Sequence, residues 1–154
     1  MIYLDTNALA PAVVYSEART GPMERLMAKH RRDVFWWSPL ADYELRKYLW
    51  SVPEELWAED LPLALGRVTR LSTGWEAAVE QALKLAHDFR GRLAVDSADV
   101  LHVGWALSLK AELFASFDRA SGPRALALCC GLTVWPDPTS EDYAAMNRLK
   151  TPAR

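Results

Sequence analysis

The chain has 154 residues, 51% of them apolar and 25% charged, with a net charge of −2, which suits one domain burying roughly two-thirds of its unfolded surface. This composition excludes a disordered or fibrous polymer, and the apolar runs are too short to cross a bilayer. The charge lacks the basic excess of a typical nucleic-acid binder but leaves room for a local basic patch.

Met1 to Leu4 is a short apolar run that stops at Asp5-Thr6-Asn7, residues that favour turns and caps, and it reads as a buried first strand. The early acid and the lack of a basic cluster before an apolar segment argue against a secretory signal, so a cytoplasmic location is expected. Ala8 to Tyr15 is apolar with Pro11 inside it and is expected to begin a helix or a packed loop. After Gly21-Pro22, Met23, Leu26 and Met27 give a helical stripe that ends near the basic residues Lys29, Arg31 and Arg32. Asp33 to Trp37 reads as a second buried strand. Ser38-Pro39 then resembles an N-cap with proline at the first helical position, opening a helix with Ala41, Leu45, Tyr48 and Leu49 inward and Glu44 on its second turn.

Pro53 to Leu71 is helical in tendency but broken by Pro62 and Gly66. Thr73-Gly74-Trp75-Glu76 has the capping-box pattern, and Trp75, Ala78, Val79, Ala82, Leu83, Ala86 and Phe89 trace one face towards a Gly91 stop. The stretch from Asp96 to Asp118 carries the organisation of the chain. Its first turn is crowded by Asp96, Ser97 and Asp99; Leu101, Trp105 and Leu109 form a core stripe; and a strand from Leu113 to Phe117 ends at Asp118. Ala120 to Gly131 is expected as a short helix, Leu132 to Trp135 as the last strand, and 136–154 as a turn, a helix from Ser140 to Leu149 and a tail. Cys129 and Cys130, being adjacent, read as buried thiols, and the spacing of His and Cys fits no zinc site.

Strands alternating with helices indicate a single α/β domain over residues 1–154 with a mainly parallel sheet. A helix packed back on such a sheet starts at the carboxyl edge of the strands, where ligands bind. Asp5, Glu44, Asp99 and Asp118 come from four separate elements and are all expected at that edge. Four carboxylates in one place repel one another unless a cation is present, and a hard divalent ion such as Mg²⁺ or Mn²⁺ removes the difficulty. Phosphodiester hydrolysis by a metal-activated water is the chemistry this suggests. Each acid also has an ordinary structural reading: Asp5 as a turn residue, Glu44 as a surface partner of Lys47 or Tyr48, Asp118 as a cap, Asp96 and Asp99 as a capping box. It is their convergence that favours a metal site. His102, one turn into an apolar helix, reads as a packed imidazole in preference to a general base.

The opening IYLDTN, the helix carrying Glu44, the segment DVLHVGWAL from Asp99 and LFASFD ending at Asp118 together resemble the PIN-domain ribonucleases, and among these the VapC-type toxins of toxin–antitoxin pairs. The resemblance implies a three-layer PIN-like fold, with a central sheet of about 4–5 strands flanked by helices. It also implies metal-ligand roles for Asp5, Glu44, Asp99 and Asp118, supporting roles for Asn7 and Ser116, RNA as substrate, a homodimer and an antitoxin partner. Asp96 is expected to support the site as the N-cap beside Asp99. Arg46, Lys47, Arg92 and Arg119, near the proposed ligands, are candidates for phosphate contacts. Two alternatives remain: a non-catalytic PIN-type RNA-binding or scaffold module, and a haloacid-dehalogenase-like phosphatase. The latter requires a second aspartate where this chain has Asn7.

Overall fold

The computed structural model describes residues 1–14, 20–54, 68–120 and 122–151. Among them are five strands: β1 (Ile2–Leu4), β2 (Phe35–Trp37), β3 (Val68–Arg70), β4 (Leu113–Ala115) and β5 (Thr133–Trp135). They form one parallel sheet in the order β3-β2-β1-β4-β5, with Ile2 in register with both Phe35 and Leu113. The chain therefore builds outward from β1 on one side and returns to build outward on the other. The crevice between the carboxyl ends of β1 and β4 is the topological switch point, where α/β sheets bind ligands.

Alternation along β1 divides the core. Ile2 and Leu4 pack with Phe35, Trp37, Leu113 and Ala115 against α1 (Thr6–Val13), α2 (Thr20–Lys29) and α3 (Pro39–Leu49). Tyr3 points the other way, with Phe114 and Val134, into a second core. That core is shared with α4 (Trp75–Asp88), α5 (Ser97–Ser108), α6 (Pro123–Cys129) and α7 (Ser140–Lys150). The result is the expected three-layer α/β arrangement. Ser38 caps α3 by accepting Ala41 N–H at 3.1 Å, with Pro39 at the first helical position.

Several sequence expectations are corrected. Most of the 53–71 segment, residues 55–67, lies outside the described residues, as does the tail beyond Thr151, but Val68–Arg70 is the edge strand β3 and not helix. The capping box at Thr73 does not form: the N-cap of α4 is Gly74 at φ +108°, and no side chain caps the helix. Glycine is required there because a Cβ would come within 2.9 Å of the Trp105 ring. The buried face of α4 is Ala78, Ala82 and Leu85, while Trp75, Val79 and Leu83 are exposed.

The physical reason lies on the neighbouring helix. A Cβ at Gly104 of α5 would sit 2.5 Å from the Ala78 carbonyl and 3.2 Å from Ala82 Cβ, so the two helices touch backbone to backbone through small residues. Enclosed in this way, α5 buries Val100, His102, Val103, Gly104, Trp105 and Ala106, and Leu101 and Leu109 are only half-buried. The strand before Asp118 is shorter than expected, ending at Ala115, and α6 begins only at Pro123, so Asp118 does not cap it. Cys129 and Cys130 are free, half-buried thiols, and burial raises both pKa values, that of Cys130 to about 11.

Candidate active site

Each sequence-derived acid reaches the carboxyl edge by its own local device. Asp5 follows β1, donating its backbone N–H to Ala115 C=O at 3.0 Å. It is the N-cap of α1, with Oδ1 accepting Thr6 N–H at 2.5 Å. Its second oxygen, Oδ2, is buried without a hydrogen-bond partner among the described residues, a costly state for a carboxylate. Asp5 therefore does cap a helix, but that duty occupies only one of its oxygens.

Glu44 projects from α3 towards Thr6 and His102, with the charge of Lys47 also acting on it. Its Oε2 accepts the Thr6 hydroxyl at 2.5 Å and faces His102 Nε2 at 2.8 Å. Asp99 sits in the first turn of α5, its backbone N–H held at 2.9 Å by Asp96 Oδ1, so the N-cap half of the expected capping box is present. Asp118 follows β4, and its backbone N–H donates to Ser116 Oγ at 3.2 Å. Asn7 ties this turn to α1, its Oδ1 accepting Phe117 N–H at 2.7 Å and the Ser116 hydroxyl at 3.4 Å. Asp5, Glu44, Asp99 and Asp118 all line one open cavity of about 530 Å³, together with Asn7, Asp96, Lys47 and His102.

His102 is the residue that sequence reasoning undervalued. It is fully buried, as a packed imidazole should be, yet its ring lies in the acid site and not behind it. Nδ1 lies 2.8 Å from the Tyr3 hydroxyl, which donates to Ser38 Oγ at 2.8 Å. Tyr3 then accepts from Nδ1–H, and Nε2 faces Glu44 at 2.8 Å and Asp5 Oδ1 at 3.5 Å. With both nitrogens facing oxygen acceptors, the ring is placed to be an imidazolium. Burial pulls its pKa down, but the charge of Asp5, then the hydrogen bond and charge of Glu44, outweigh burial and raise it. One signal in the sequence pointed here: residues three apart on a helix share a face, so His102 had to follow Asp99 to the acid edge.

The electrostatics record a surplus of negative charge. Burial pushes the Asp99 carboxyl up, and Asp96, Asp118 and Asp5 push it further, to about 7. Burial also opposes ionisation of Glu44, yet the hydrogen bonds from His102 and Thr6 leave its pKa below the ordinary value. Donor atoms of Asp5, Glu44 and His102 lie within 4.8 Å of one another. An unpartnered buried carboxylate oxygen in an oxygen-rich cluster is what a hard divalent cation fits.

The basic candidates separate. Lys47 lines the cavity. Arg46 pairs with Asp42 at 3.0 Å. Arg119 lines the cleft on the far side of Asp118. Arg92 is engaged elsewhere, donating to the Leu149 carbonyl at 2.6 Å and to the Asp88 carbonyl, with its guanidinium over the Phe89 ring.

Residues 2–121 match the family model described as PIN domain. Several solved structures share the fold, among them two at 18–19% identity. One is a crystal structure of Mycobacterium tuberculosis VapC20, a Sarcin-Ricin loop cleaving toxin, with TM-score 0.55 and 19% identity, covering 77% of this chain and 90% of that one. The other is FitAcB from Neisseria gonorrhoeae, with TM-score 0.58 and 18% identity, covering 87% of this chain and 96% of that one. No curated protein matches the chain by sequence.

Proposed function

Because the chain belongs to the PIN domain family, we propose that it is a divalent-metal-dependent endoribonuclease and the toxin of a toxin–antitoxin pair. The observation that carries this reading is the convergence of Asp5, Glu44, Asp99 and Asp118 on one cavity at the switch point, with a buried Asp5 oxygen left unpartnered. These four acids would hold Mg²⁺ or Mn²⁺, which when bound activates water for attack on phosphorus and offsets charge on the phosphoryl oxygens.

The remaining work falls to the chain's own residues. Thr6 and His102 hold the Glu44 carboxylate through Oε2. Asn7 and Ser116 fix the turn that presents Asp118. Asp96 fixes the first turn that presents Asp99. Lys47 and Arg119, flanking the acids on either side, are assigned to phosphates of the RNA. A homodimer and an antitoxin partner complete the proposal, as the resemblance to VapC-type toxins implies, and the fold shared with VapC20, described as a toxin, supports the toxin reading. No described helix is long and apolar enough to cross a membrane, and the proposed setting is RNA in the cytoplasm.

The test is cleavage of RNA by the purified protein with Mg²⁺ or Mn²⁺ and with chelator. The expected products carry 5′-phosphate and 3′-hydroxyl ends, because water and not the ribose 2′-hydroxyl is the nucleophile. Cyclic-phosphate ends, or cleavage that survives chelation, would overturn the reading.

A further inference from the structure

The outer face of α3 carries a feature that the acid site does not use. Tyr43 and Trp50 are 63% and 77% exposed, and Trp50 is the most exposed large apolar side chain among the described residues. They stand with the exposed Lys47 at positions i, i+4 and i+7, Tyr43 and Lys47 within α3 and Trp50 as its C-cap with helical backbone, which places all three on a single stripe. Lys47 belongs to two surfaces at once, because with Glu44, Tyr48 and Ser51 it also lines the acid cavity. Through Lys47 the aromatic stripe adjoins that cavity.

Charge decides what covers it. On the side away from the cavity the stripe is bordered by Arg46, which shares Asp42 with Arg70 of β3, at 3.0 and 2.7 Å. One carboxylate there serves two guanidinium groups, leaving one positive charge in excess, and on the cavity side stands Lys47, whose charge also acts on Glu44. Flat apolar rings between two sources of positive charge complement unpaired bases joined by phosphates. A wholly apolar partner face would leave the excess positive charge unmatched.

Resting on the nuclease reading of the adjoining cavity, we infer that Tyr43, Lys47 and Trp50 form a stacking platform for single-stranded RNA leading into the acid site. The two rings are separated by two helical turns, about 10 Å along the axis at 1.5 Å per residue. Each therefore takes a different base, with Lys47 on the phosphates between them. In a duplex the bases are stacked on each other and their faces are not offered to side chains, so the platform selects unpaired segments as substrate.

The experiment is fluorescence anisotropy in chelator, with a labelled ten-nucleotide single-stranded RNA and a fully paired hairpin of ten-nucleotide strands closed by a non-nucleotide linker, so that no base is unpaired. The proteins are the wild type, Tyr43→Ala, Trp50→Ala and Trp50→Phe, each checked by thermal melting. Both alanine variants are expected to melt like the wild type and to bind the single strand at least about fivefold more weakly, the lower end of base–aromatic stacking losses. Trp50→Phe is expected to stay within about twofold, since a ring remains, and hairpin binding is expected to be unchanged in all variants. Unaltered single-strand binding by Trp50→Ala, equal losses on the hairpin, or no measurable binding by the wild type would overturn the platform. So would unaltered RNA binding joined to loss of a bound antitoxin protein, which would give the stripe to that partner.

Failure of the nuclease reading looks different. The platform would then bind single strands in this ring-dependent way while no metal ion produced cleavage.

Discussion

Two regions of the molecule bury charge, and they do so in opposite ways. On α6, Arg124 gives Nε and Nη2 to the two oxygens of Asp142 at 3.0 and 2.9 Å and two further N–H groups to the carbonyls of Ser116 and Pro136. Asp142 in turn accepts Thr139 N–H and hydroxyl, closing the capping box of α7. Donors and acceptors match, and although burial opposes the Asp142 charge, Arg124 and Thr139 hold its pKa below the ordinary value. At the β1/β4 switch point there are instead several acids and one imidazole, an Asp5 oxygen is unpartnered, and Asp99 is pushed up to about 7. Both clusters are well ordered by neighbouring backbone. A matched buried charge is architecture; a surplus held in place by the fold marks a candidate cation site.

Removing one charge from each region should have opposite effects. Asp5→Asn is expected to abolish metal-dependent cleavage while the metal-free protein melts at the same or a higher temperature, because one of several repelling charges is gone. Asp118→Asn should behave alike. If both variants melt lower in chelator, the acids are structural and the contrast fails. Arg124→Leu should do the reverse, leaving the Asp142 charge buried and unpaired at a cost of about 3–5 kcal/mol. Calorimetry should show this as a melting-temperature loss on the order of 10 °C.

The pH dependence of the metal-free protein sharpens the contrast, since the two regions respond with opposite sign. Asp142 has a depressed pKa, so its contribution is present above the unfolded carboxyl value and lost as pH falls through the folded one. Asp99 has a raised pKa. Its contribution is complete below the unfolded value and is lost as pH rises through about 7. Denaturant melts in chelator between pH 4 and 8 should therefore show stability declining towards neutrality, and Asp99→Asn should flatten that decline while eliminating cleavage. A wild-type profile that does not fall across this range would contradict the surplus-charge account.

The smallest expected effect separates the two acids of the first turn of α5. Asp96→Ala removes the cap on Asp99 N–H and is expected to cost about 1 kcal/mol. Much of the cleavage should remain, and the Asp99 pKa should move down, because Asp96 is one of the charges raising it. Abolished cleavage in Asp96→Ala with activity retained in Asp99→Asn would mean that the ligand had been assigned to the wrong acid.

How far the sequence alone could be read follows from where each signal resides. Ser38-Pro39 and the Asp96 cap were legible because capping chemistry is local. The four acids were legible because strand–helix alternation places both the end of a strand and the start of the next helix at one edge. The buried face of α4 was not, because Ala78 and Ala82 are inward only through the close approach of Gly104, a residue of another helix. Nor was the chain from Ser38 through Tyr3 to His102 and Glu44, which joins a strand to two helices and needs the packed layers to exist. The β3 strand escaped because three residues, Val68–Arg70, carry too little periodicity to oppose a helical neighbourhood.

Mn²⁺ binding read by electron paramagnetic resonance tests, without any substrate, whether the unmatched charge at the switch point is a cation site. The wild type is expected to bind Mn²⁺ with an affinity that rises as pH passes about 7, where Asp99 loses its proton. Asp5→Asn should lose that binding. Equal Mn²⁺ binding by the wild type and Asp5→Asn, or none by either, would contradict the account.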